Sequence, residues 1–314
     1  MKNSGLSKPY VIVLILSYNG KGLLSEAISS YVDNSYNNFE VVVVDNGSTD
    51  NTKEYVESKF DNVKVLRTEV NLKYSGGLNF GMEYAFNQQS ADYVLITNND
   101  VKADKDLISS CVELAFGKDE IGFVTGKVYY YDHPNTFQSC GKSYDEKMWR
   151  GQHIGRNEED RGQLDEDQQL PWCDDIFWLV SHKVYQKTGG GYDTEFAFQA
   201  EDFDWQVRAK KIGFQIWFAS KAKLWHKDSM TIGKESAFKA YYNFRNPLIV
   251  HMKHRNYHEF QYYFKLKRNG LIRITIQSIL RFRFKYLYYC WKGFSSAVIW
   301  GFSNNKLRLL NLFS

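Results

Sequence analysis

The sequence predicts an α/β protein in which a mostly parallel central sheet is flanked by helices and followed by a helical C-terminal extension. Three observations predict it. The first 125 residues alternate short β-branched runs with amphipathic stretches, the pattern of parallel strands joined by right-handed crossovers. Hydrophobic residues are 43% and charged residues 24% of 314, which is ordinary for a folded chain with a buried core. From Glu235 to about Trp291 the apolar residues recur at helical spacing.

In order, YVIVLIL (10–16) is too short and too β-branched for a helix and reads as a buried strand. Leu23, Leu24, Ala27, Ile28 and Tyr31 then mark a helix. FEVVVVD (39–45) is a second strand, and Thr49 or Asp50 can cap a helix around NTKEYVESKF. VKVLR (63–67), DYVLIT (92–97) and IGFVTG (121–126) are further strands, separated by helices over 77–89 and about 104–116. Residues 132–169 lack periodicity, and the acidic NEEDRGQLDEDQQ (157–169) reads as a mobile, solvated loop. WCDDIFWLV (172–180), a short helix at HKVYQKT, the Gly189–Gly191 turn and a helix containing Asp202 restore order.

Charge is divided unevenly. Residues 251–314 hold twelve Lys and Arg against one acid, Glu259, whereas residues 1–250 hold 28 bases against 35 acids. A basic, aromatic tail on an acidic body predicts an anionic partner, phospholipid or nucleic acid. Four cysteines without a CxxC pair fit neither a zinc site nor a disulfide framework, which points to a reducing cytoplasm. No signal peptide is evident, and no stretch approaches the ~20 apolar residues of a spanning helix.

In an open parallel sheet, ligands bind beyond the carboxyl ends of the strands. Those ends carry Ser17-Tyr18-Asn19, Asp45-Asn46-Gly47-Ser48 and Asn98-Asn99-Asp100. A dinucleotide fingerprint is absent, since Gly20 and Gly22 are followed by Ser25, and a P-loop is excluded because Met82-Glu83 follows Gly76 and Gly81.

The stretches LILSYNG, VVVVDNGSTD, NLKYSGGLNFG, YVLITNNDV, GGGYDTEFAFQAEDFDWQVRAKKIGF and LWHKDSMTIG, in that order over residues 10–235, resemble glycosyltransferase family 2, in particular its bacterial rhamnosyltransferase-like enzymes. The resemblance implies the GT-A nucleotide-diphospho-sugar transferase fold, Rossmann-like, over 1–234. Residues 1–125 would be its nucleotide-binding half, 126–234 its acceptor-binding half and 235–314 an amphipathic helical region.

The resemblance also implies roles. Asp45 would accept from the pyrimidine base, with Ser17, Tyr18 and Asn19 lining the same pocket. Asn71, Gly77, Asn79 and Gly81 would border nucleoside and diphosphate, with Lys73 where relatives carry glycine. Asn98-Asn99-Asp100 stands at the D-x-D position. Asp100 would hold Mg²⁺ or Mn²⁺, a hard cation that prefers oxygen ligands, and His226 would be a second metal ligand. Glu201-Asp202 matches the E-D motif, Asp202 being the general base and Glu201 an acceptor-binding residue. The bulky IFWLV stretch, after Trp172, Asp174 and Asp175, would reshape the acceptor pocket.

Together these imply an inverting, metal-dependent transferase using a UDP- or dTDP-sugar and a glycan or lipid-linked acceptor in polysaccharide biosynthesis. The expected location is cytoplasmic, peripheral on the inner membrane face through residues 255–292, whose mixed aromatics and cations suit a lipid interface. No nucleic acid is expected. The competing expectations are a nucleic-acid-binding protein that uses the tail and a nucleotide-sugar binder without catalysis.

Overall fold

The structure is a computed structural model that describes residues 8–143, 145, 151–227 and 237–306. The expected boundary at 234/235 and the SMTIG stretch lie outside the described residues. Two compact units make up the chain: one with described residues up to 145, 151–197 and 205–227, the other with 198–204 and 237–306.

The first unit is built on one sheet. Its strands are β1 (Val11–Ser17), β2 (Phe39–Asp45), β3 (Val63–Arg67), β4 (Tyr93–Thr97), β5 (Val101–Ala103), β6 (Ile121–Tyr130), β7 (Phe137–Ser139), β8 (Gln168–Leu170), β9 (Phe177–Ser181) and β10 (Gln215–His226). They run in the order β3-β2-β1-β4-β9-β6-β10-β5, with β7 on β6 and β8 on β10. Six strands share one direction (β3, β2, β1, β4, β6 and β10), whereas β9 lies antiparallel between β4 and β6. The predicted strands are therefore present, but 121–126 extends to Tyr130, and β5, β7, β8 and β10 were not foreseen. Three of these have only three residues, too few to show a period.

Helices α1 (Lys21–Val32), α2 (Thr52–Lys59), α3 (Lys73–Met82), α4 (Leu107–Ala115) and α5 (His182–Lys187) cover the sheet. The helix expected at 77–89 begins at Lys73 and passes into a π-helical turn at Glu83–Gln88. Two glycines hid its first turns, because glycine is a poor helix former. Packing accounts for one of them: a Cβ on Gly77 would lie 2.6 Å from Leu16 Cδ1.

The loop expected to be mobile is tied to the sheet at several of its described residues. Lys127, buried on β6 with a side chain 2% exposed, pairs with Asp160 at 3.2 Å and Asp165 at 2.5 Å. Asp167 accepts from the backbone N–H and hydroxyl of Ser220, each at 2.8 Å. A buried lysine needs acidic partners, and the acidic run supplies them. Of the IFWLV stretch, Phe177, Trp178, Leu179 and Val180 are buried core, with Trp178 against Phe123 and Trp205.

Helix α6 (Glu201–Lys211) has its first four residues in the second unit, which otherwise comprises α7 (Ala237–His254), α8 (Tyr257–Leu280) and α9 (Phe284–Ser303). Helicity thus runs past Trp291 to Ser303. Helices α7 and α9 approach closely at Gly293, where a Cβ would sit 2.2 Å from the Tyr241 carbonyl. Aromatic contacts join the helices, His251 stacking on Tyr263 and Phe264 meeting Phe294 at a tilt. Among the described residues, no helix is long and apolar enough to cross a membrane.

Candidate active site

Three loops meet at the carboxyl ends of β1, β2 and β4. Parallel register sets Ser17 beside Asp45 and Asp45 beside Arg67. Asp45 is fully buried. Its Oδ1 accepts from the Ser48 N–H at 2.9 Å and its Oδ2 from Arg67 Nη1 at 2.5 Å, while Arg67 Nη2 reaches the Ser48 carbonyl at 2.8 Å. The accessible groups here are therefore Arg67 and the exposed ring of Tyr18. Asn19, at φ +50, ties this loop to the next: its N–H donates to Ser48 Oγ and its Oδ1 accepts from the Thr49 N–H.

Asn46 organises the segment before α3. Its amide donates to the Lys73 carbonyl at 2.9 Å and accepts from the Leu72 N–H at 2.9 Å, and it lies 3.3 Å from Asn71 Oδ1. Asn71 Oδ1 also accepts from the N–H of Lys73, a residue at φ +65. Side-chain amides thus stabilise the left-handed backbone at Lys73. Asn79 faces elsewhere, spending both amide atoms on the Tyr192 backbone at 2.7 and 2.9 Å. Gly77 and Asn79 accordingly act in this structure by letting α3 pack closely and by bracing it.

The β4 loop meets the end of β10 through β5, since His226 is paired with Val101 and the Lys227 N–H donates to the Asp100 carbonyl at 3.0 Å. This places His226 Nε2 3.2 Å from Asp100 Oδ1 and 3.5 Å from Asn98 Nδ2, with the Asp100 and His226 side chains 8% and 10% exposed. Asn99 turns the other way, towards Ser17 Oγ at 3.4 Å. Gln138 Oε1, on β7, lies 2.8 Å from His226 Nδ1. An amide oxygen only accepts, so Nδ1 carries the hydrogen and Nε2 is the ring nitrogen turned to the carboxylate. An oriented imidazole and a carboxylate, steadied by an outer hydrogen bond, fit a divalent metal. Among the described residues no group of three or more acidic, His or Cys side chains forms a complete metal cage.

Glu201 and Asp202 open α6 in the second unit, Glu201 buried and Asp202 partly exposed. The two residues before them, Gln199 and Ala200, have φ of +64° and +73°. Left-handed backbone costs a residue with a Cβ about 1–2 kcal/mol, so a consecutive pair marks an imposed turn. Asp204, fully buried, lies 2.7 Å from His254 Nε2 on α7.

A sequence model of the family described as "Glycosyl transferase family 2" matches residues 12–189. The chain belongs to that family. Among its relatives, an uncharacterized glycosyltransferase of Haemophilus influenzae is 36% identical over 77 residues, 24% of each chain. A putative teichuronic acid biosynthesis glycosyltransferase of Bacillus subtilis, TuaG, is 26% identical over 106 residues, 34% of this chain and 42% of the relative. The matched region spans about a quarter of the first relatives' own length.

Solved structures show the fold. GalNAc-T7 with UDP, GalNAc and Mn²⁺ superposes with a TM-score of 0.60 at 14% identity, over 78% of this chain and 48% of that one. The mannosyltransferase PcManGT of Pyrobaculum calidifontis, with GDP-Man and Mn²⁺, gives 0.53 at 15% identity over 95% and 87%. The fold is GT-A.

Sequence reasoning missed Arg67 and Gln138, and placed Asn46 in the strand-end loop without giving it a role of its own. Arg67 was within reach, because two parallel strands ending at 45 and 67 place a cation beside a buried acid. Gln138 was not, since β7 is only three residues long.

Proposed function

We propose that the chain is an inverting, metal-dependent glycosyltransferase that moves a sugar from a UDP- or dTDP-sugar to a hydroxyl of a glycan or lipid-linked acceptor in polysaccharide biosynthesis. The observation that carries this reading is the Asp100–His226 pair at the carboxyl end of the sheet, its imidazole steadied by Gln138. Asp100 and His226 would hold Mn²⁺ or Mg²⁺, which when bound supplies positive charge against the departing diphosphate. The UDP, GDP-Man and Mn²⁺ named with the two solved transferases are the ligand classes that support it.

Tyr18, Asn19 and Arg67 line the nucleoside, and the buried Asp45 and Ser17 back them, Asp45 by holding Arg67. Asn71, Gly77 and Asn79 shape the loop and helix beside the diphosphate, and Asn98 and Asn99 flank Asp100. Asp202 takes the proton from the acceptor hydroxyl while that oxygen forms a bond to the anomeric carbon and the carbon–diphosphate oxygen bond breaks on the opposite face. Glu201 contributes to acceptor binding. General-base assistance of this kind contributes about 10²–10⁴-fold to rate.

The helical unit supports a peripheral location on the inner, cytoplasmic face of a membrane. Ile272, Ile276, Ile279, Leu280, Phe282 and Phe284 are exposed, Leu280 at 73% and Phe282 at 81%, among Arg273, Arg281, Arg283 and Lys285. Apolar groups flanked by cations suit an anionic bilayer.

The test is a thermal-shift screen of UDP- and dTDP-sugars with and without Mn²⁺, followed by turnover of the best ligand by Asp100→Asn and Asp202→Asn. Ligands that bind only the native state raise its stability. Asp100→Asn should lose the metal-dependent shift, whereas Asp202→Asn should keep it and lose transfer. Undiminished transfer by Asp202→Asn rejects the mechanism.

A further inference from the structure

Within the helical unit, the turn that precedes Glu201 is gripped by α7. Asn246, fully buried on that helix, donates one amide hydrogen to the Phe198 carbonyl at 2.8 Å and the other to the Gln199 carbonyl at 2.7 Å. Its own oxygen accepts from Arg245 Nη1 at 2.8 Å. Both donors of the amide are therefore spent on the left-handed pair Gln199–Ala200 and the peptide before it.

A second hold follows Asp202. The fully buried Asp204 carboxylate lies 2.7 Å from His254 Nε2 and 3.8 Å from Lys253 Nζ, both near the end of α7. Helix α7 thus grips the chain on both sides of Asp202. Pro247, the residue after Asn246, has no N–H for the Asn243 carbonyl, and Lys267 Nζ on α8 stands 3.5 Å from that oxygen. The neighbouring helix therefore supports the stretch of α7 that bears Asn246.

We infer that Asn246 is a positioning residue for sugar transfer: it imposes the left-handed turn that aims Asp202, and so makes the helical region part of the catalytic apparatus. This rests on Asp202 being the general base. A backbone conformation that alanine disfavours has to be enforced from outside, and Asn246 Nδ2 donates to both the Phe198 and the Gln199 carbonyls. Residues that accept such a conformation freely are glycines, which makes the idea separable from a general loss of packing.

The experiment compares the full chain with Asn246→Ala, Asn246→Thr, Asn246→Ala/Ala200→Gly and Asp202→Asn. Two readouts are followed: amide exchange of residues 198–206, and steady-state turnover of the UDP- or dTDP-sugar that best stabilises the protein. Asn246→Ala should speed exchange in that segment and lower kcat about 10–100-fold with donor KM within about twofold, since slight misplacement of a catalytic group can cost that much. Asn246→Thr, which keeps one donor, should lie between. Ala200→Gly in the alanine background should recover at least about fivefold in kcat, because glycine takes φ near +73° without strain. Unchanged exchange, unchanged kcat, or a loss that glycine does not recover would each overturn the inference. Turnover retained by Asp202→Asn would instead overturn the reading of the base itself.

Discussion

Replacing Gln138 with leucine tests the metal site without touching a proposed ligand. In the native arrangement Gln138 Oε1 accepts from His226 Nδ1 at 2.8 Å, which leaves Nε2 as the ring nitrogen turned to Asp100 at 3.2 Å. Leucine offers no acceptor. If the hydrogen stays on Nδ1, a buried donor is left unpaired at about 1–3 kcal/mol. If instead the ring changes tautomer, Nε2–H donates to Asp100 and is lost as a ligand. Both routes penalise the metal-bound form, and loss of such an outer partner typically lowers metal affinity about 10–100-fold. That is about 1.4–2.7 kcal/mol at 1.4 kcal/mol per decade. The assay is calorimetric titration of Mn²⁺ into protein with saturating UDP, beside Gln138→Glu, which keeps an acceptor for Nδ1 and should retain affinity. Leucine and glutamate variants that both bind Mn²⁺ within twofold of the native chain would refute the reasoning.

Other outcomes follow from charge and burial. Burial raises the Asp174 carboxyl, but Lys142 and His153 outweigh it and hold the group well below its ordinary range near 3.8. Because the folded value is depressed, its stabilisation is fully present above that range and is lost as pH falls below it; Asp174→Asn should flatten acid unfolding there and lower the midpoint at neutral pH. Burial, aided by Arg255, pushes His251 from 6.5 down to about 3. The unfolded chain then takes the proton first, so stability should fall between those pH values, and His251→Phe, which keeps a ring against Tyr263, should remove that slope in urea titrations. Lys127→Met strips Asp160 and Asp165 of a buried partner; because Asp165 is 63% exposed and can rehydrate, the expected loss is about 2 kcal/mol, with faster tryptic cleavage at Arg161. Leu280→Glu with Phe282→Glu should abolish flotation with phosphatidylglycerol vesicles while leaving Mn²⁺–UDP binding unchanged; undiminished flotation would reject the membrane face.

Strand identity and the strand-end loops were legible from residue order alone. Runs such as YVIVLIL and FEVVVVD are too β-branched and too short to be anything but buried strands, and polar residues at their ends are where an open sheet presents ligands. The family followed from the ordered motifs. Local pattern carries no information, however, about an antiparallel strand inserted between β4 and β6, about three-residue strands, or about the acidic run that serves a lysine on a distant strand. Those depend on which segments become neighbours.

The sequence by itself determined the fold class, the family and the residue types at the candidate site, because strand periodicity and motif order are local and survive without coordinates. Only the tertiary structure decided that Asp45 is saturated by Arg67, that His226 is aimed at Asp100 by Gln138, and that α7 grips the turn before Glu201. The physical reason is the same in each case: hydrogen-bond geometry is set by the sheet register and helix packing that bring remote residues within 3 Å or so of one another.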